Sequence, residues 1–201
     1  MKRMLFNALL VIVFMGVAAI GQQEAFAAGT ITGSVETKRA KYKKNVVVYL
    51  KNVQGTFNAP QEPYVVDQQD LTFIPHVLPV LVGSKVNFKN SDNVNHNVFS
   101  PTECKSFNLG TFGPGGYKTV TFDKTCVVDL LCNVHSEMSA YVVVLDNPYF
   151  SLTGADGSFT IRNVPAGTYE IAVWSEKMKA ETQSVTVSDG SSATVTFNLT
   201  R

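Results

Sequence analysis

Seven residues between two apolar stretches decide the fold of this 201-residue chain: Cys132-Asn133-Val134-His135-Ser136-Glu137-Met138. The stretch before them, VVDLL at 127–131, and the stretch after them, AYVVVL at 140–145, are rich in residues that favour strands. A second polar stretch, NSDNVNHNV at 90–98, lies upstream and contributes another histidine. Because a β-sandwich gathers loops at its two ends, both polar stretches can meet at one end.

Four side chains in these two stretches form a set of soft metal ligands: His96, Cys132, His135 and Met138. Two imidazoles and a thiolate in one plane, with a weak axial thioether, describe a mononuclear blue-copper site. The spacing supports this interpretation, because Cys132 would end one strand and Met138 would precede the next. The structural alternative is an ordinary hydrogen-bonded histidine and a methionine packed in the core.

Short alternating segments continue along the rest of the chain. Strands are predicted over 30–35, 45–50, 72–82, 85–89, 118–122, 127–131, 140–145, 158–161, 168–174, 182–187 and 193–199. Asp156-Gly157 and Asp189-Gly190 are typical of hairpin turns. No long amphipathic helix interrupts the pattern, so the predicted fold class is all-β, built from sandwiches or barrels.

The sequence GSKVNFKNSDNVNHNV at 83–98, taken with the C-x-x-H-x-x-M loop, resembles the cupredoxins, the plastocyanin/azurin family. The short ligand loop is most similar to that of amicyanin. The resemblance implies a Greek-key sandwich that binds one copper ion through the four soft ligands and carries single electrons. It also implies that Asn97 ties the ligand loops together near the Cys132 sulfur, and that His135 lies near the surface beside apolar residues such as Pro114 and Val134.

A second resemblance covers the end of the chain. GADGSFTI at 154–161 and NVPAGTY at 163–169 resemble the carboxypeptidase regulatory-like domain, a small prealbumin-like sandwich. This C-terminal segment lacks the first strands of such a domain, and residues near the start of the chain would supply them. We therefore predict one discontinuous regulatory-like domain, residues 29–54 and 148–201, with the cupredoxin domain, residues 59–146, inserted in it. The alternative is a tandem of two domains with an N-terminal extension.

Residues 1–27 are predicted to be a cleaved, bacterial Sec-type signal peptide. Lys2 and Arg3 precede an apolar stretch, and Ala25-Phe26-Ala27 is an A-x-A cleavage site. The alternative is an uncleaved membrane anchor. Cleavage would leave a periplasmic or secreted chain with no membrane span and with equal numbers of acidic and basic residues. A chain without excess positive charge is unlike a nucleic-acid-binding protein.

Three further features allow two interpretations each. Cys104 and Cys126 form a possible disulfide in an oxidising compartment, or remain buried thiols. His76 is favoured as a hydrogen-bonded strand histidine over a second metal ligand. The five basic residues within 38–44 either dock an acidic partner or anionic surface, or belong to a solvated hairpin loop, which we favour.

The function predicted from the sequence is that of an exported mononuclear type 1 copper protein that carries single electrons between unidentified redox protein partners. An enzyme is not expected, because four protein ligands leave no open metal position for a substrate. Two alternatives stay open at this point. One is a copper-holding or copper-delivery protein, and the other is a surface interaction module whose copper site is structural.

Overall fold

The computed structural model describes residues 28–201, and the predicted signal peptide lies outside them. Sixteen strands and two 3₁₀ turns, Ala40–Tyr42 and Glu103–Lys105, make up the described part of the chain. The strands are β1 Gly29–Glu36, β2 Val47–Lys51, β3 Tyr64–Gln69, β4 Thr72–Ile74, β5 Val77–Leu81, β6 Ser84–Asn90, β7 His96–Ser100, β8 Phe107–Phe112, β9 Tyr117–Phe122, β10 Val127–Leu131, β11 Ser139–Leu145, β12 Phe150–Leu152, β13 Ser158–Val164, β14 Gly167–Trp174, β15 Gln183–Val187 and β16 Ser192–Asn198.

The prediction of an all-β fold is confirmed, since the described residues form sheets that pack as sandwiches. Within residues 28–201, no helix has both the length and the apolar character needed to cross a membrane.

Strands β3 to β11 build one sandwich, which we call the central sandwich. Its two sheets have the orders β4-β3-β6-β9 and β5-β11-β10-β7-β8. Pairs β3–β6 and β5–β11 are parallel, and the other pairs are antiparallel. Alternate residues of these strands point inward and form an apolar core that includes Val66, Phe88, Phe122, Leu130 and Val142. This core positions the two polar stretches of the sequence at its edge.

The remaining strands build a second sandwich, the outer sandwich, from both ends of the described chain. Its sheets have the orders β13-β1-β16 and β12-β2-β14-β15. The early strand β1 lies between two late strands, parallel to β16 and antiparallel to β13. The early strand β2 likewise lies between β12 and β14. Residues on both sides of the central sandwich in sequence therefore share sheets, while the division into an interrupted and an inserted domain stays a prediction.

The two sandwiches pack against each other through an apolar cluster of their own. Val77, Tyr141 and Val143 come from the central sandwich, and Val47 and Trp174 come from the outer sandwich. The rings of Tyr141 and Trp174 lie 5.1 Å apart between centroids. Val47, Val77 and Val143 are almost completely buried, so this cluster excludes water between the sheets. The strand that leaves the candidate metal loop, β11, is consequently covered on both faces.

The strand predicted over 72–82 is wrong as a single element, because the structure divides it into β4 and β5. Pro75 lies between the two strands, and a proline cannot donate the N–H that a continuous ladder requires. His76 follows it in the same connection, so the prediction of a strand histidine is also wrong in its location. Strands β3, β7, β8 and β12 are not among the predicted strands. Strand β3 ends in polar Gln68 and Gln69, β7 directly follows a polar stretch, β8 contains a glycine, and β12 has only three residues.

The structure joins Cys104 and Cys126 in a disulfide that links the turn after β7 to the residue before β10. The two cysteines are separated by 22 positions. Closing a loop of that size restricts the unfolded chain, so replacing both cysteines by alanine should lower the free energy of unfolding by about 3 kcal/mol. Urea denaturation of the double variant and the wild type under oxidising conditions measures this loss. Equal denaturation midpoints and slopes would contradict it.

Candidate metal centre

The loop at 132–138 closes the hairpin between β10 and β11. Leu131 pairs with Ser139 across the two strands, so both ends of the loop are held by the sheet. Inside the loop the backbone N–H of Met138 donates to the carbonyl oxygen of His135 at 3.1 Å. This tight turn leaves the Cys132 and Met138 side chains in the apolar core, with 4% and 1% of their surfaces exposed. His135, which lies between these two residues in the sequence, is half-buried.

His96 begins β7, the strand that lies beside β10 in the same sheet. Its side chain is completely buried, and its Nδ1 lies 3.1 Å from the Nδ1 of His135. The possible ligand atoms of His96, Cys132 and His135 all lie within 4.8 Å of one another. Across residues 28–201 no other group of three or more His, Cys, Asp or Glu side chains meets that criterion. The three residues could therefore hold one metal ion.

Asn97 connects the two stretches that carry these side chains. Its backbone N–H donates to the Cys132 Sγ at 3.5 Å, and its side-chain oxygen accepts from the Asn133 N–H at 3.4 Å. Its side-chain nitrogen in turn donates to the Asn108 Oδ1 on β8 at 2.9 Å. Asn97 is 1% exposed, and its hydrogen bond to Cys132 is buried. A hydrogen bond to a sulfur stabilises its thiolate form, which is the form that binds metals.

Asp92 is a site residue that the sequence analysis missed. Its Oδ2 lies 2.7 Å from the Nε2 of His96, four positions later. Because a carboxylate accepts, Nε2 carries the proton in this pair, and the Nδ1 of a neutral His96 ring is left with a free lone pair. Asp92 thus selects the tautomer that a metal requires and fixes the ring orientation. The D-x-x-x-H spacing was the available signal, but nothing in it shows that the two side chains meet.

The Asp92 carboxylate also binds a turn in the opposite sheet. It accepts the backbone N–H of Asp70 at 2.8 Å and that of Leu71 at 3.0 Å. Both turn residues have left-handed backbones, with φ of 52° and 56°, which is costly for side chains larger than glycine. The Leu71 N–H is the largest of the effects that lower the pKa of Asp92, and the contact with His96 adds to it. The carboxylate therefore couples the β3–β4 turn to the histidine.

The donor atoms of the three converging side chains determine which metal ions they could hold. Two imidazole nitrogens 3.1 Å apart repel each other if both present lone pairs, unless a proton or a cation lies between them. A buried thiol beside them adds a soft donor, and imidazole with thiolate suits copper or zinc rather than magnesium or calcium. The residues fit a soft or borderline metal ion. The role of Met138 as axial ligand stays a prediction.

His76 does not belong to this group. Its Nδ1 lies 3.1 Å from the carbonyl oxygen of Ser139, and its Nε2 lies 3.0 Å from the Glu176 Oε2 of the outer sandwich. Both ring nitrogens are occupied by hydrogen-bond partners, as expected for a structural histidine.

The two apolar residues predicted to lie beside His135 are both at the surface. Val134 is 46% exposed, and Pro114 is also exposed.

Comparison with known protein families finds one match, in the C-terminal part of the chain. The family model of the carboxypeptidase regulatory-like domain matches residues 138–200. The match begins inside the ligand loop rather than at 148, and it does not include residues 29–54. The resemblance to this family is therefore confirmed for the C-terminal part of the chain. No curated protein sequence matched the chain.

Several solved structures are similar to this chain. A reduced amicyanin variant is 24% identical, with a TM-score of 0.40, over 43% of this chain and 85% of that one. A purple cupredoxin from Nitrosopumilus maritimus is 22% identical, with a TM-score of 0.37, over 41% and 99%. A copper-containing nitrite reductase from Thermus scotoductus is 19% identical, with a TM-score of 0.42, over 56% and 28%.

Proposed function

We propose that this chain is an exported mononuclear type 1 copper protein that carries single electrons between redox protein partners. The observation that supports this proposal most directly is the convergence of His96, Cys132 and His135 within 4.8 Å at one edge of the central core. Copper bound there would supply reversible one-electron chemistry. Periplasmic or secreted localisation is part of the proposal and is supported by the signal-like sequence of residues 1–27.

The chain's own residues would keep the site nearly unchanged during electron transfer. The hydrogen bond to Asp92 fixes the orientation of the His96 ring, and the Asn97 N–H stabilises the Cys132 thiolate. The two ends of the 132–138 loop are held by paired strands. Such a preorganised site needs little rearrangement when its charge changes by one unit, which is what a rapid electron carrier requires. The half-buried His135 would be the exit for the electron.

The proposed axial role of Met138 can be tested with a substitution that should not disturb folding. We expect Met138→Leu to preserve the apolar packing, because the two side chains have similar volumes. Loss of the thioether should raise the copper reduction potential, since a weak axial donor stabilises the oxidised ion. Cyclic voltammetry of the two copper-loaded proteins measures the change, and Met178→Leu in the outer core is the matched control. Equal potentials in all three proteins would show that Met138 is a core residue only.

The proposal itself is tested by adding copper(II) to residues 28–201. An intense thiolate-to-copper absorption band with a narrow copper hyperfine splitting, and reversible one-electron cycling, would support an electron carrier. Copper(I) that transfers readily to an acceptor without reversible cycling would instead favour a copper-delivery protein. Turnover of a small substrate by the copper-loaded protein would contradict the non-enzymatic role. A colourless protein would overturn the proposal.

A further inference from the structure

Positive charge is concentrated on one end of the outer sandwich, although residues 28–201 carry equal numbers of acidic and basic side chains. Six exposed side chains form this surface, which we call the basic patch: Lys38, Arg39, Lys41, Lys44, Lys177 and Lys179. They come from two segments far apart in sequence, one before β2 and one after β14. Since acidic and basic residues are equal in number over 28–201, the patch is a local feature and not a consequence of overall composition.

Backbone hydrogen bonds bring these segments together. The Leu199 N–H donates to the carbonyl oxygen of Glu36 at 2.7 Å, beside the first segment. Lys179 and Thr200 exchange two backbone hydrogen bonds at 2.7 and 2.8 Å, beside the second. The C-terminal residues therefore lie between the two segments and add Arg201 to the same surface. Backbone hydrogen bonds therefore hold the two segments of the patch together, so the patch does not depend on chance proximity of long side chains.

Most of the charge on this patch is not neutralised by the protein. Among the described residues, Lys177 is the only one of the six within ion-pair distance of a carboxylate, 3.2 Å from Glu176. The neighbouring Lys43 is paired with Glu36 and is not counted in the patch. The guanidinium groups of Arg201 and Arg39 lower the pKa of the Tyr42 hydroxyl between them. This shift has the sign expected of a positive local potential.

The basic patch lies at the metal end of the molecule. Strands β5 and β11 are parallel, and both begin at the end of the sheet that carries the ligand loop. His76, just before β5, contacts Ser139, the residue after Met138, and Glu176, the residue before Lys177. A cleft of about 150 Å³ at this junction is lined by His76, Glu176 and the lysines at 41, 44 and 177. The outer sandwich thus places its positive surface next to the start of β11.

We propose that the basic patch docks the acidic face of a redox protein and so holds it at the end of the molecule where the half-buried His135 lies. This inference rests on the proposed electron-carrier function. A protein face fits better than a small anion, because the charges are exposed and spread over two separate segments of the described chain. Opposite charges on two such faces accelerate encounter and orient the partners, while a small contact near the metal keeps the complex short-lived.

The experiment compares two triple variants of equal net charge. The patch variant is Lys38→Glu, Lys44→Glu, Lys179→Glu, and the matched control reverses three exposed lysines of the central sandwich, Lys85→Glu, Lys118→Glu, Lys124→Glu. None of these six lysines is in an ion pair within the described residues. Stopped-flow absorption follows reduction of each copper-loaded protein by reduced cytochrome b5, which has an acidic face. Hydroquinone, a neutral reductant, serves as the reference.

We expect the patch variant to react with reduced cytochrome b5 about 10-fold more slowly at low ionic strength, with a weaker salt dependence, and the control to lose much less. Hydroquinone should reduce all three proteins at similar rates. Equal slowing of both variants, or no slowing of either, would overturn the inference while leaving the electron-carrier proposal intact. Absence of the type 1 spectrum would instead contradict that proposal.

A measurement without metal keeps the docking surface testable in every case. Backbone amide NMR of metal-free residues 28–201 during titration with cytochrome b5 should show shifts concentrated at 38–44 and 177–179. These shifts should disappear in the patch variant and persist in the matched control. Shifts spread over the central sandwich, or none, would overturn the inference. Binding of vesicles containing anionic lipid, with no response to cytochrome b5, would assign the patch to a membrane surface instead.

Discussion

Replacing Cys132 by serine should abolish the intense visible absorption of the copper-loaded protein. The thiolate is the only donor of the three converging side chains that can produce a strong ligand-to-copper charge-transfer band. Serine is close to cysteine in size, so the buried position should still pack and the protein should fold. The loss of copper affinity should exceed the roughly 10- to 100-fold typical of changes to residues behind the ligands. Absorption, paramagnetic resonance and a competitive copper titration measure these effects.

Ser136→Ala is the matched control for this substitution. Ser136 lies in the same loop but is exposed and is not among the converging side chains. Its replacement should leave both the spectrum and the copper affinity unchanged, and circular dichroism should show the same fold in all three proteins. A Cys132→Ser protein with an unchanged spectrum would place the copper elsewhere and contradict the proposed site.

Replacing Asp92 by asparagine should weaken copper binding by about 10- to 100-fold without removing a ligand. The carboxylate lies 2.7 Å from the Nε2 of His96 and selects the tautomer that leaves Nδ1 free for the metal. An amide keeps the size of the side chain but offers a single accepting oxygen, which the Asp70 and Leu71 N–H groups would compete for. The type 1 spectrum should persist at saturating copper, and competitive titration should reveal the lower affinity.

Asp70→Asn provides the comparison for that prediction. Asp70 is an exposed carboxylate in the β3–β4 turn, and asparagine tolerates its left-handed backbone with φ of 52°. This substitution removes the same charge near the site but leaves the contact with His96 in place. Equal losses of affinity in the two variants would show that Asp92 acts through charge alone and does not position the histidine.

The outer sandwich takes part in electron transfer if the basic patch docks a redox partner. The apolar cluster between Tyr141 and Trp174 attaches the outer sandwich to the sheet that carries the ligand loop. The His76 contact with Glu176 joins them again at the metal end. On the proposed function, the outer sandwich would supply the charge that selects a partner, and the central sandwich would supply the electron.

Local sequence determined the parts of this protein that depend on neighbours in the chain. Cys132, His135 and Met138 fall within seven residues between two strand-forming segments, so one hairpin loop holds all three. Alternating apolar residues and turn signals were also sufficient for the all-β class. These predictions succeed because strand periodicity and short loop closure involve residues only a few positions apart.

Tertiary structure decided everything that depends on distant pairing. The meeting of His96 with Cys132 and the contact of Asp92 with both His96 and the β3–β4 turn follow from how strands align across the sheets. So does the gathering of 38–44 and 177–179 into one positive surface. Such alignments depend on the burial of side chains contributed by the whole fold, which no local pattern contains.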